Sequence, residues 1–202
     1  MGQAKRREVE IASLKARTNN WLISLPQDEK VVAEVAMATF NSVVIKLGMT
    51  EACYNLSFFL SEYLRRKHGI IVNVVVGWVN DGTWDGAASH AWLEYKGKKI
   101  DITLYKTSHP DIQPPGDLIV LDYIIQPGKV TYTYWQTLPE KAAITLELMR
   151  SSDKNLETLL KHKENEHQKM FELASRQDGA EEYLRQAPTT NNYEFLSRAV
   201  GT

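Results

Sequence analysis

The sequence predicts an α+β fold in which N-terminal helices pack on an antiparallel sheet and further helices follow. Three observations predict it. Apolar residues recur at helical spacing through residues 25–67. Between residues 70 and 135 the chain changes to short runs rich in Val, Ile and Thr with no helix among them, the pattern of four or five consecutive antiparallel strands. From Leu138 onward the helical spacing returns.

The elements follow in order. Residues 1–20 are polar and predict a helix or arm of low stability. Ser24-Leu25-Pro26-Gln27 reads as a capping box with proline in the first turn, opening a helix to about Leu47 that Gly48 ends. Thr50 reads as the N-cap of a second helix, over residues 51–67, with Leu56, Phe59, Leu60, Tyr63 and Leu64 at helical spacing. Arg65, Arg66 and Lys67 suit the negative end of its dipole, and Gly69 stops it. Residues 70–78 predict a buried strand and residues 80–86 a loop. Residues 88–95 and 98–104 form a predicted hairpin about Lys96-Gly97. Residues 118–123 and 129–135 predict two more strands. A helix is expected over residues 140–150, and a longer one from Ser152 or Asp153. The tail from Gly179 is weakly patterned.

Bulk composition narrows the function. A chain of 202 residues buries a real core in one domain. We expect a core at residues 1–138 and a helical extension of the same domain at 139–202. The formal net charge of -1 argues against wholesale nucleic-acid binding. The single cysteine, Cys53, excludes an internal disulfide framework and a cysteine-rich zinc site, and fits a reducing compartment. No apolar stretch follows Lys5-Arg6-Arg7, so the N-terminus does not read as a secretory signal, and Arg6 replaces the Ser or Thr of a myristoylation motif. The nearly apolar run at residues 31–49 is broken by Glu34, Asn41 and Lys46, so no membrane partner is expected. The expected location is the cytoplasm.

Cys53, His90 and Asp101 carry the chemistry. With Thr50 as cap, Cys53 lies in the first helical turn, where free N–H groups and the positive dipole end favour a thiolate and could hold an oxyanion. With a two-residue turn at Lys96-Gly97, Tyr95 faces Lys98, Trp92 faces Asp101 and His90 faces Thr103. His90, Trp92 and Asp101 then share one face, with His90 and Asp101 diagonal neighbours roughly 7–8 Å apart at Cα. A slip of one residue would separate them. Asp101 sits among Ile100, Ile102 and Leu104, where an unpaired carboxylate is costly and an imidazole partner would account for it. Trp92 could shield that pair, and Trp84, between Thr83 and Asp85, could line the mouth of a site. Cysteine as nucleophile, histidine as proton carrier and aspartate as its orienting group make a set for acyl transfer.

Each residue also has a plainer reading. Cys53 could be a small core residue, His90 a structural histidine, and Asp101 the partner of a turn lysine. His162 and His167 are five apart and lack the spacing of a zinc helix; their polar run reads as a solvated face. Leu156, Leu159, Leu160, Met170 and Phe171 could cover the chain's own core or pair two copies as a homodimer.

Cys53-Tyr54-Asn55-Leu56-Ser57, Val74-Val75-Val76-Gly77-Trp78-Val79, His90-Ala91-Trp92-Leu93-Glu94 and Ile100-Asp101-Ile102-Thr103 together resemble the transglutaminase-like core of the papain-like cysteine proteinase superfamily. The resemblance covers residues 50–105, and the compact size suggests a bacterial branch. It implies a helix packed on an antiparallel sheet, with Cys53 as nucleophile, His90 as general base and acid, and Asp101 as orienting carboxylate. The implied reaction is cysteine-dependent hydrolysis or acyl transfer at a peptide, amide or ester bond, without cofactor or metal. Two departures stand out: no Gly stands immediately before Cys53, and no side-chain oxyanion donor is evident beyond Gln27 and Asn41. The family also contains inactive members, so a binding module acting through its C-terminal helices is the rival expectation.

Overall fold

The computed structural model describes residues 3–201; Met1 and Gly2, which head the segment weighed for a signal or lipid, lie outside the described residues. The architecture is α+β. Helices α1 (Gln3–Ser24), α2 (Gln27–Thr39) and α3 (Cys53–His68) precede the strands. Strands β1 (Asn73–Asn80), β2 (Ala88–Tyr95), β3 (Lys98–Asp101), β4 (Leu118–Val120), β5 (Tyr123–Gln126) and β6 (Thr133–Trp135) form one sheet in the order β5-β4-β3-β2-β1-β6. Every pairing is antiparallel. Helices α4 (Glu140–Ser152), α5 (Lys154–Ala174), α6 (Gly179–Gln186) and α7 (Tyr193–Val200) follow.

Helix α3 is the centre of the core. Leu56, Phe58, Phe59, Leu60 and Leu64 are fully buried along it, with Ala91, Leu93 and Ile100 of the sheet and Val32, Ala36 and Val43 of the preceding helix in the same cluster. Each Val, Leu, Ile or Phe side chain among them contributes about 1.5–3 kcal/mol by leaving water. Leu184 and Leu196 add α6 and α7 to this core. The weakly patterned tail therefore holds two short helices, each anchored by a buried leucine. Among the described residues no helix is long and apolar enough to cross a membrane.

Several boundaries differ from the sequence expectation for identifiable reasons. The capping box at Ser24 does not form: α1 runs through Ser24, whose hydroxyl donates back to Trp21 O at 2.7 Å, and Pro26 takes the cap position of α2. The helix from Gln27 widens into a π-helical segment at Phe40–Lys46, where Leu47 N reaches back five residues to Ser42 O. Thr50 is not the cap of α3. Its hydroxyl pairs with Ser108, Glu51 adopts a left-handed φ of 56°, and the cap is Ala52. Strand β6 is shorter than predicted because the backbone before it is held elsewhere: Lys129 N bonds Pro115 O, and the Asp117 carboxylate accepts from Gly128 N and Thr131 Oγ1. The strand expected at residues 118–123 is instead the start of a hairpin, turned at Leu121 and Asp122 with φ of 53° and 62°. Leucine rarely adopts that conformation, so the turn leaves no compositional signal.

The β2–β3 hairpin has the predicted register: Tyr95 faces Lys98, Glu94 faces Lys99 and Leu93 faces Ile100. Lys96 and Gly97 both have positive φ, 51° and 76°, as a tight two-residue turn of this hand needs. Helix α2 holds that turn in place. Asp28 accepts from Tyr95 Oη at 2.6 Å and from Lys96 Nζ, and Lys98 Nζ donates to the buried Glu29 at 2.7 Å. The turn lysines are thus engaged by α2, and neither pairs with Asp101.

Candidate functional site

The hairpin register delivers His90 and Asp101 to one another. His90 Nε2 lies 2.7 Å from Asp101 Oδ2, and both side chains are almost wholly buried. The carboxylate is saturated with donors. Oδ1 accepts from the backbone N and the hydroxyl of Thr103, each at 2.8 Å, and Oδ2 also accepts from Tyr134 Oη at 2.9 Å. Strand β3 ends at Asp101 because the next residues turn back onto this carboxylate.

Electrostatics matches the geometry. Burial alone would raise Asp101 and lower His90. The His90 charge and the Thr103 hydrogen bonds outweigh burial at Asp101 and hold it below the ordinary carboxylate range. At His90 the Asp101 and Cys53 side chains outweigh burial and push the ring well above the usual imidazole value. Burial, then the neighbouring Asp101, pushes the Tyr134 phenol up, so it stays a protonated donor. With Nε2 committed to Asp101, Nδ1 is the ring atom left to face the cavity that Cys53 also lines.

Cys53 is the first residue of α3 and is partly exposed. No side chain caps this end, and the first backbone bond into the helix runs from Leu56 N to Ala52 O. The N–H of Cys53 therefore has no partner within the helix and is available as an anion donor. Gln27 and Asn41, the side-chain donors suggested from sequence, are exposed and do not line the cavity that holds Cys53.

That cavity has a volume of about 620 Å³, and Cys53 and His90 both line it. Trp84 lines it as expected, 40 % exposed. The loop bearing Trp84 is cross-braced: the Asn80 amide donates to Trp84 O and Gly86 O, and its oxygen accepts from Gly82 N. Gly86 is needed under the indole, since a Cβ there would sit 1.9 Å from Trp84 Cζ3. Trp92 is placed differently from the expectation of substrate contact. It is 2 % exposed and lies outside the cavity lining, packed edge-on against Tyr134 at 5.3 Å and beside His90 at 6.5 Å. It covers the His90–Asp101 pair, the shielding role also considered for it.

Three groups escaped the sequence reading. Tyr134, read only as an alternating strand residue, completes the Asp101 shell. Tyr54, beside Cys53, shares a hydrogen bond with Ser89, which also meets His167 Nδ1 at 2.5 Å; the His167 ring stacks on Trp78 at 4.4 Å. His167 is thus half-buried and its pKa lowered by burial, rather than lying on a solvated face. Finally, α4 and α5 wall the cavity through Leu146, Met149, Leu159 and Leu160. Only Ser89, next to His90 in the chain, carried a local hint. Among the described residues no group of three or more His, Cys, Asp or Glu could hold a metal ion.

The arrangement places a thiol and an imidazole on one cavity, fixes the ring by a buried carboxylate, and leaves a free N–H at a helix start. Comparison with protein-family models, with curated proteins and with solved structures finds no match.

Proposed function

We propose that this chain is a cysteine-dependent hydrolase or acyltransferase of amide, peptide or ester bonds, built on a papain-like, transglutaminase-like core. The observation that carries the reading is the His90 ring, bonded through Nε2 to buried Asp101 and lining one cavity with Cys53, the first residue of α3. Cys53 sulfur attacks the carbonyl carbon while its proton resides on His90. The Cys53 N–H receives the oxyanion. The tetrahedral adduct collapses, the bond to the leaving group breaks, and His90 gives that group its proton. A thioester remains on Cys53. Water or an amine, deprotonated by His90, then attacks it, releasing the acyl product and restoring the thiol. Asp101 orients the ring and stabilises its charged form throughout.

The chain order Cys, His, Asp and the helix-then-sheet arrangement support the family assignment. The rival reading, an inactive module that recruits partners through its C-terminal helices, has less support, because Met170 and Leu173 of α5 are buried in the chain's own core. The deciding experiment is labelling with a thiol-directed acylating probe, read by intact mass. The expected result is one adduct on the native protein, on Cys53, and none on Cys53→Ala. Equal labelling of a His90→Ala variant overturns the proposal.

A further inference from the structure

We infer that the acyl group this site accepts is apolar, an alkyl chain or aromatic acid, and that the C-terminal helices select it. The inference rests on the reading of Cys53 as nucleophile. The cavity walls come from five parts of the chain: the start of α3, the β1–β2 strands with their loop, residues 103–113, Tyr132, and the α4–α5 pair. Trp84, Ile112, Leu146, Met149, Leu159 and Leu160 supply the apolar lining. Trp84, Ile112 and Leu159 are 40 %, 82 % and 51 % exposed, so apolar surface here is still open to water and a ligand would gain by covering it.

The charges around the cavity do not select an anionic substrate. Lys106 Nζ donates to Val44 O at 3.1 Å, and Lys163 pairs with Glu166 at 3.0 Å, so both lining lysines are engaged. Glu164 is held by Arg150. Glu51 and Asp81 add negative charge to the lining, which disfavours a carboxylate or phosphate on the acyl group. A volume of about 620 Å³ is in the range of small-molecule sites and far exceeds what an acetyl group fills.

The test uses the full chain and 4-nitrophenyl esters of acetate, butyrate and octanoate, with the Cys53→Ala rate subtracted. The leaving group is constant, so only the acyl group varies. Burial of each methylene predicts a rise in kcat/KM of about fourfold, and at least tenfold from butyrate to octanoate. Leu160→Asn and Met149→Gln, on separate helices and both half-buried, should each lower the octanoate-to-butyrate ratio severalfold. A ratio within a single acyl series is insensitive to the fraction of folded protein. Cys53-dependent turnover that is flat or falling with chain length overturns the inference while leaving the thiol chemistry standing. No Cys53-dependent turnover or acylation with any ester overturns both.

Discussion

Tyr134 Oη donates to Asp101 Oδ2 at 2.9 Å, the oxygen that His90 Nε2 also reaches. Strand β6, at the edge of the sheet, thereby fixes a carboxylate carried on β3, three positions along the strand order. Tyr134 also meets the Trp92 ring and lies under Lys99 Nζ, 3.6 Å above its ring centroid. One phenol couples the far side of the sheet to the candidate site.

Tyr134→Phe tests that coupling. The ring and its packing survive, while Asp101 loses one donor. A hydrogen bond to a charged group contributes about 1.5–3 kcal/mol, so stability in urea should fall by about that amount at neutral pH. Asp101 is then less depressed, and acid unfolding should begin at higher pH than in the native protein.

The ion pair makes stability depend on pH with two limbs. Asp101 is depressed in the folded state, so its contribution is present above the unfolded carboxylate value of about 3.9 and disappears as pH falls through the folded value. His90 is raised, so its contribution is complete below the unfolded value of about 6.5 and is lost as pH climbs through the folded value. Thermal denaturation across pH should show this element of stability at its maximum between those two reference values. Asp101→Asn should flatten both limbs.

Replacement of His90 should disarm the sulfur. At pH 6, alkylation of Cys53 by iodoacetamide should be at least about tenfold slower in His90→Ala, because general-base assistance of this kind is worth about 10²–10⁴ when fully developed. Asp101→Asn should slow it as well, by less. Equal rates in all three proteins would show that the imidazole does not act on the thiol.

Gly77→Ala should destabilise the sheet beside the site, since Gly77 pairs with His90. A Cβ at Gly77 would lie 2.3 Å from Trp135 O and 2.7 Å from Trp92 Cη2, both in tightly packed surroundings. Overpacking of this sort costs about 1–3 kcal/mol, which for a chain of this size lowers Tm by about 2–4 °C per kcal/mol. Differential scanning calorimetry measures it directly.

The hairpin that carries His90 and Asp101 was legible because local chemistry determines it. Lys96-Gly97 permits the turn, alternation sets the face, and the two together specify register. Cys53 at a helix start was legible from the breaker Gly48 and the helical run after it. Its exact place was not, since the left-handed Glu51 carries no sequence mark. Tyr134 and His167 were illegible for another reason. Their partners, Asp101 and Ser89, lie 33 and 78 residues away, and no spacing rule reaches so far. Trp92 was read as either shield or contact because a strand pattern gives a face and not a depth. The C-terminal helices showed their apolar positions but not what those positions would enclose.

The sulfur sits in the first third of the chain, and four of the apolar residues that wall its cavity, Leu146, Met149, Leu159 and Leu160, sit in the last third. Vectorial synthesis therefore presents a bare thiol on the growing polypeptide before its shelter has been translated. When α4 and α5 arrive, His167 stacks on Trp78 and meets Ser89, so the wall beside the thiol is completed only late in synthesis.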